Sequence, residues 1–137
     1  MSRFRVIVCA LLLAFAIGAS GAQAGSTGLT FVNEDGVRFD VPAGTGLTAR
    51  VERDPTSNSP MIHFVLPPDM TLLAMTRDQV GRRIQIYVGC KLVSEPVVRT
   101  PISGRQGVLT GAFSLEEAKA LADIINNGAP PCPNLSS

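Results

Sequence analysis

The chain has 137 residues, 45% of them hydrophobic and 17% charged, with one His, one Tyr and no Trp. That is material for a single domain at most. With 12 Lys+Arg against 11 Asp+Glu there is no basic excess to hold a phosphate backbone, and one Tyr makes no stacking platform, so nucleic-acid binding is excluded.

Arg3 and Arg5 open the chain, Val6 to Gly18 is an uncharged apolar run, and Ala22-Gln23-Ala24 is a small-residue cleavage signal. This is the pattern of a secretory signal peptide over residues 1–24. A membrane helix wants about 20 apolar residues, and this core is shorter, so an uncleaved anchor is the weaker alternative. Removing Arg3 and Arg5 leaves 10 Lys+Arg against 11 Asp+Glu, a formal charge of −1.

Leu29 to Val41 reads as a hairpin about Asn33-Glu34-Asp35-Gly36. Leu47 to Glu52 follows as a strand, and the Pro-containing stretch Arg53–Pro60 as a loop. In Met61 to Leu66, Ile62, Phe64 and Leu66 share one face and Met61, His63 and Val65 the other. Residues 25–60 are taken as the opening strands and loop of the same domain, and 61–130 as its α+β module.

Asp69 is the expected N-cap of a short helix through Met75, and Thr76 to Gln79 has capping-box spacing for a second turn. Arg83 to Val88 alternates as a strand, with Ile84, Ile86 and Val88 inward. Gly89-Cys90-Lys91 turns the chain, and Leu92 to Val98 returns as an edge strand interrupted by Pro96. Ser103 to Gly107 is a turn and Val108 to Phe113 the last strand. Ser114 and Glu117 make a capping box for the final helix, whose stripe is Leu115, Ala118, Leu121, Ala122 and Ile125. Gly128 ends it, and residues 131–137 form a Pro-rich tail. The expected class is α+β: a small, mostly antiparallel or mixed sheet with two helices packed on one face.

No residues assemble into a catalytic constellation. His63 is the lone histidine and has no local acid or co-ligand. Glu116 and Glu117 point about 100° apart on a helix and suit its positive end. Ser103-Gly104-Arg105-Gln106-Gly107 lacks the lysine and spacing of a phosphate loop, and Ser94, Ser103 and Ser114 lack a nucleophile elbow. No enzyme activity, metal or cofactor is expected. Arg82, Arg83, Lys91, Arg99 and Arg105 form a loose cationic grouping that would suit solvent, an acidic peptide or lipid headgroups.

Cys90 and Cys132 remain after the leader. In an oxidising compartment an even pair suggests a disulfide, with two free thiols as the alternative. The two are 42 positions apart, a closure worth about 4 kcal/mol in the chain-entropy model.

Thr76-x-x-x-Val80-Gly81, the strand to Val88, Val93-x-x-x-Val97-Val98 with Pro96, then Gly104, Gly107-Val108-Leu109-Thr110-Gly111-Ala112-Phe113-Ser114, Glu117-Ala118, Leu121-Ala122 and Gly128-Ala129-Pro130 fall in a specific order. This run resembles the head subdomain of the first large periplasmic domain of SecD, the accessory subunit of the bacterial protein-export translocase. The resemblance covers about half of the chain after the leader. It implies a periplasmic location and a protein or peptide partner, with the Sec translocon or exported polypeptides in view. At the hairpin turn Gly89-Cys90 stands where the family carries Asp-Gly, which puts a cysteine at the tip and suits a tail tethered there. The membrane segments that drive the family's motor have no counterpart in the sequence read here, so that activity is not carried over.

The expected function is therefore an exported interaction module. Val97 and Val98 on the sheet edge and Gly104, Arg105 and Gly107 on the following loop are the candidate partner contacts, with strand addition of an extended peptide as the mode. A structural or lipid-associated envelope protein, peripheral to the membrane, is the alternative.

Overall fold

The computed structural model describes residues 26–133 and 135, so the expected leader at 1–24 lies outside the described residues. The first hairpin forms where the sequence suggests it. β1 (Thr27–Asn33) and β2 (Arg38–Pro42) pair antiparallel. Asn33 organises the turn between them, its Oδ1 accepting the N–H groups of Asp35 and Val37 at 3.0 and 2.9 Å. Such local bonding to the backbone is what makes Asn a turn residue. β3 (Thr48–Arg53) and β4 (Pro60–Val65) form a second antiparallel pair.

α1 covers only Leu72–Thr76 and starts later than expected. The Pro67 carbonyl accepts the Met70 N–H at 3.0 Å, which places Asp69 inside a tight turn and leaves Thr71 at the cap position without a side-chain bond. No second helix follows. Gln79 N–H bonds Thr76 O and Arg82 N–H bonds Gln79 O, at 3.1 and 3.0 Å, so two turns take its place. The Thr76 hydroxyl is used elsewhere, donating to Leu72 O at 2.8 Å and accepting from Ile102 N–H at 2.9 Å.

β5 (Ile84–Val88) and β6 (Lys91–Ser94) are joined by Gly89 and Cys90, both at positive φ (+55° and +69°). A two-residue turn of that hand matches the twist of the paired strands. β6 stops at Ser94. Beyond it Pro96 and Val97 follow β5 loosely, with one bridge from Val97 to Arg83, so the strand expected through Val98 is shorter and broken at the proline. β7 (Gln106–Leu109) starts before the expected Val108 and ends well before Phe113.

α2 (Leu115–Asn127) is capped by Ser114, whose Oγ accepts the Glu117 N–H at 3.1 Å. Ala118, Leu121, Ala122 and Ile125 are its buried stripe. Burying a Leu or Ile side chain contributes about 1.5–3 kcal/mol, so the helix is held by packing more than by propensity.

The class is α+β, with the strands divided between two antiparallel sheets, β2-β1-β5-β6 and β3-β4-β7. α2 packs against strands of both, touching β1, β3, β4 and β5. Gly28 lets it lie directly on β1, because a Cβ there would run into the Ile125 carbonyl and the Leu47 side chain. Leu29 and Phe31 from one sheet meet Ile62 and Phe64 from the other in one core. The rings of Phe31 and Phe64 are 6.1 Å apart and tilted by 54°, an arrangement aromatic pairs favour.

Candidate functional site

The two sheets leave an opening between β7 and the segment after β6. It is a groove of about 330 Å³ whose walls include Phe31, Phe64, Met75, Ile86, Val97 and Val108. Val97 and Ile102 stand at its rim, 43% and 42% exposed, although both are large apolar residues. Val108 borders the groove along the β7 edge, its 46% exposed side chain on the His63 face of the sheet. Burying such side chains is the drive a partner could use.

Both sides of the groove are strand edges. β7 is an outer strand of its sheet. Its register pairs Gly107 with Phe64 and Val108 with His63, and Leu66 N–H donates to Arg105 O at 2.7 Å. Antiparallel pairs alternate between bonded and non-bonded, so this register turns the amides and carbonyls of Gln106 and Val108 outward to the open edge. On the opposite side Ile84 N–H bonds Pro96 O and Val98 N–H bonds Arg82 O, at 3.0 and 2.8 Å. Val97 lies between those two bonds, and its own backbone groups point away from β5.

The structure brings three of the five expected contact residues to this groove. Val97 is at the rim, Val98 forms part of the floor with its side chain in the core, and Gly107 lies on β7. Gly107 is there because a Cβ would collide with the Phe64 ring, so the strand can approach the aromatic floor only as glycine. Gly104 and Arg105 stand on the loop that leads into β7. The Gly104 carbonyl accepts Leu72 N–H at 2.9 Å, and the Arg105 guanidinium turns back to the Leu66 carbonyl at 3.1 Å. Sequence reasoning missed Ile102 at the rim and Val108 at the β7 edge. Val108 sits beside apolar Leu109, so no alternation marks which of the two faces water.

The cationic grouping disperses. Arg82 makes two 2.8 Å bonds to Asp35, Lys91 is 4.0 Å from Glu117, and Arg99 lines the groove. The Arg82 hydrogen bonds hold the Asp35 carboxyl below its usual range. His63 lies on the face of β4 away from the core, with Nε2 3.2 Å from Gln106 Oε1. Cys90 and Cys132 are joined in a disulfide with Cα atoms 5.4 Å apart. Among the described residues no three His, Cys, Asp or Glu gather as a metal site, and no helix is long and apolar enough to cross a membrane.

The family model of the SecDF P1 head subdomain matches residues 43–132. The chain belongs to that family. The match starts at Ala43, ahead of the Met61 boundary taken from sequence, and runs to Cys132, so it takes in both strands of the β3–β4 pair and the groove's walls apart from Phe31 of β1. Among curated relatives, the protein translocase subunit SecD of Dictyoglomus turgidum is 34% identical over 87 residues, covering 62% of this chain and 22% of that protein. The SecD of Thermobaculum terrenum is 36% identical over 87 residues, covering 62% of this chain and 17% of its own length. The chain thus spans about a fifth of the SecD relatives it matches. Two solved SecDF structures share the fold. One, described as a membrane component that enhances protein export, has a TM-score of 0.56 at 29% identity, over 63% of this chain and 40% of that one. SecDF in its super-membrane-facing form gives 0.58 at 26% identity, over 75% of this chain and 14% of that one.

Proposed function

We propose that this SecDF-head chain is an exported, non-enzymatic module of protein translocation that works in the periplasm by holding extended segments of exported polypeptide. The observation that carries the reading is the open β7 edge beside an apolar groove, within a fold of the SecDF P1 head family. A chain in transit is unfolded and offers the two things this site can use: unpaired backbone amides and alternating apolar side chains. Pairing with Gln106 and Val108 supplies main-chain bonds, and every second side chain of the guest enters the groove between Val97 and Val108. The Sec machinery is the setting in which such chains are found, and contact with translocon subunits belongs to the same proposal.

The lipid-associated alternative draws less support, because Arg82 is paired with Asp35 and the Arg105 guanidinium is turned to the Leu66 carbonyl within the chain. The test is a titration of the protein with an unfolded apolar peptide, followed by NMR. Val108→Pro removes an outward amide without breaking a β4–β7 bond, and should weaken binding about tenfold, the value of one hydrogen bond. A Val108→Ala control keeps the amide and should weaken it less. A variant that keeps the native spectrum and the native affinity would sink the edge model.

A further inference from the structure

The far face of the four-stranded sheet is covered by something other than the main core. Thr30 and Val32 alternate with Leu29 and Phe31 along β1 and so point to the opposite face, yet they are only 5% and 1% exposed. Val32 and Cys132 are both buried, and neither belongs to the core cluster that α2 closes.

The segment after α2 reaches this face. Ala129 pairs with Thr27 through two 2.9 Å backbone bonds. Three residues on, the Cys132 carbonyl accepts the Arg38 guanidinium. Arg38 is itself held by Asp40 at 2.9 Å, and Asp40 accepts the Thr30 hydroxyl at 2.8 Å, so these groups share the face of Thr30 and Val32. The sulfur of Cys132 is bonded to Cys90 at the β5–β6 tip.

We infer that residues 129–133 form a strap, latched by the Cys90–Cys132 disulfide, that covers the far face of the sheet and is released by reduction. The composition of the strap is what makes the latch decisive. Pro130, Pro131 and Pro133 have no N–H, so beyond Ala129 only Cys132 could donate a ladder bond, and the strap cannot be held as a strand. Among the described residues, its covalent and hydrogen-bonded fastenings past Ala129 are the disulfide and the Arg38 contact.

The latch is accessible from one side. Cys90 is exposed and Cys132 is buried. A dithiol reductant, as a thiolate, attacks Cys90 Sγ; the Sγ–Sγ bond breaks and Cys132 leaves as a thiolate that takes up a proton. The second thiol of the reductant then displaces Cys90 from the mixed disulfide. Two electrons pass to the protein, both cysteines end as thiols, and the reductant ends as a disulfide.

The experiment is dithiothreitol treatment of the protein isolated in oxidised form, followed by a maleimide pulse with peptide mass analysis, while NMR amide spectra report the fold. Release predicts that Cys132 labels within about tenfold of Cys90, access being what separates two ordinary thiols. It also predicts spectral changes around Thr27, Val32, Arg38 and the strap, with Gln106 and Val108 unmoved. Cys132→Ser should give the same local changes without reductant. A Cys132 that stays more than tenfold protected, or a Cys132→Ser spectrum identical to the oxidised protein, would overturn the inference. So would collapse of the whole spectrum on reduction, because the bond would then staple the domain rather than the strap.

Discussion

The carboxamide of Asn126 bonds both backbone groups of Ala49: its Oδ1 accepts the Ala49 N–H at 2.8 Å and its Nδ2 donates to the Ala49 carbonyl at 2.9 Å. A side chain at the end of α2 thereby does for the β3 edge what a neighbouring strand would do. An unprotected edge invites pairing with other chains. The β3 edge is thus guarded at Ala49, while among the described residues no side chain bonds the outward backbone groups of Gln106 and Val108 on β7, and that asymmetry favours β7 as the side on which a guest strand can add.

Asn126→Ala removes both bonds and frees the β3 edge. With the pair at the surface, the expected loss is about 1–2 kcal/mol in chemical denaturation. Peptide binding at β7 should be unchanged, which separates an edge guard from a binding residue. A stability equal to that of the native protein would contradict the guard.

Gly107 is the second case. Gly107→Ala drives a methyl group into the Phe64 ring, and overpacking of this kind costs about 1–3 kcal/mol. Because Phe64 forms part of the groove, its ring resonances should move in the NMR spectrum along with those of Phe31. Native stability and unmoved Phe64 resonances would show that the close approach is not a constraint.

Much of the scaffold was legible in the sequence for local reasons. Asn33 and Gly36 announce the first turn, and Ser114, Glu117 and the stripe through Ile125 announce α2, because capping and periodicity act over a few residues. The misplacement of α1 is also local: Asp69 is a good cap, but Pro67 and Pro68 commit it to a turn first. The division into two sheets was not legible. Whether β4 pairs with β3 or with β5 depends on contacts distant in sequence, and the alternation of Ile62 and Phe64 is the same in either sheet. The groove follows from that division. The sequence marks Val97, Val98 and Gly107 as edge and loop residues, and the structure gives Gly107 a different reason, its approach to Phe64. Ile102 and Val108 could not be found without knowing which strand ends a sheet.

The Asp35–Arg82 pair carries a pH prediction. Its hydrogen bonds to Arg82 lower the Asp35 pKa. A lowered native value means the pair's contribution is complete above the unfolded value of about 3.9 and is lost as pH falls through the lower native value. Carboxyl NMR should show Asp35 titrating below the ordinary carboxylate range, and Arg82→Gln should move that midpoint upward. Equal midpoints in the two proteins would remove the pair as the cause.

The central claim is that the β7 edge receives extended polypeptide. The most direct measurement places a photo-crosslinking aromatic residue at Val108 in exporting cells, with the same residue at exposed Arg53 as the comparison. The account predicts crosslinks from position 108 to exported polypeptides still in transit, with few from position 53. Equal yields at both positions, or none from position 108 while export is under way, would contradict it.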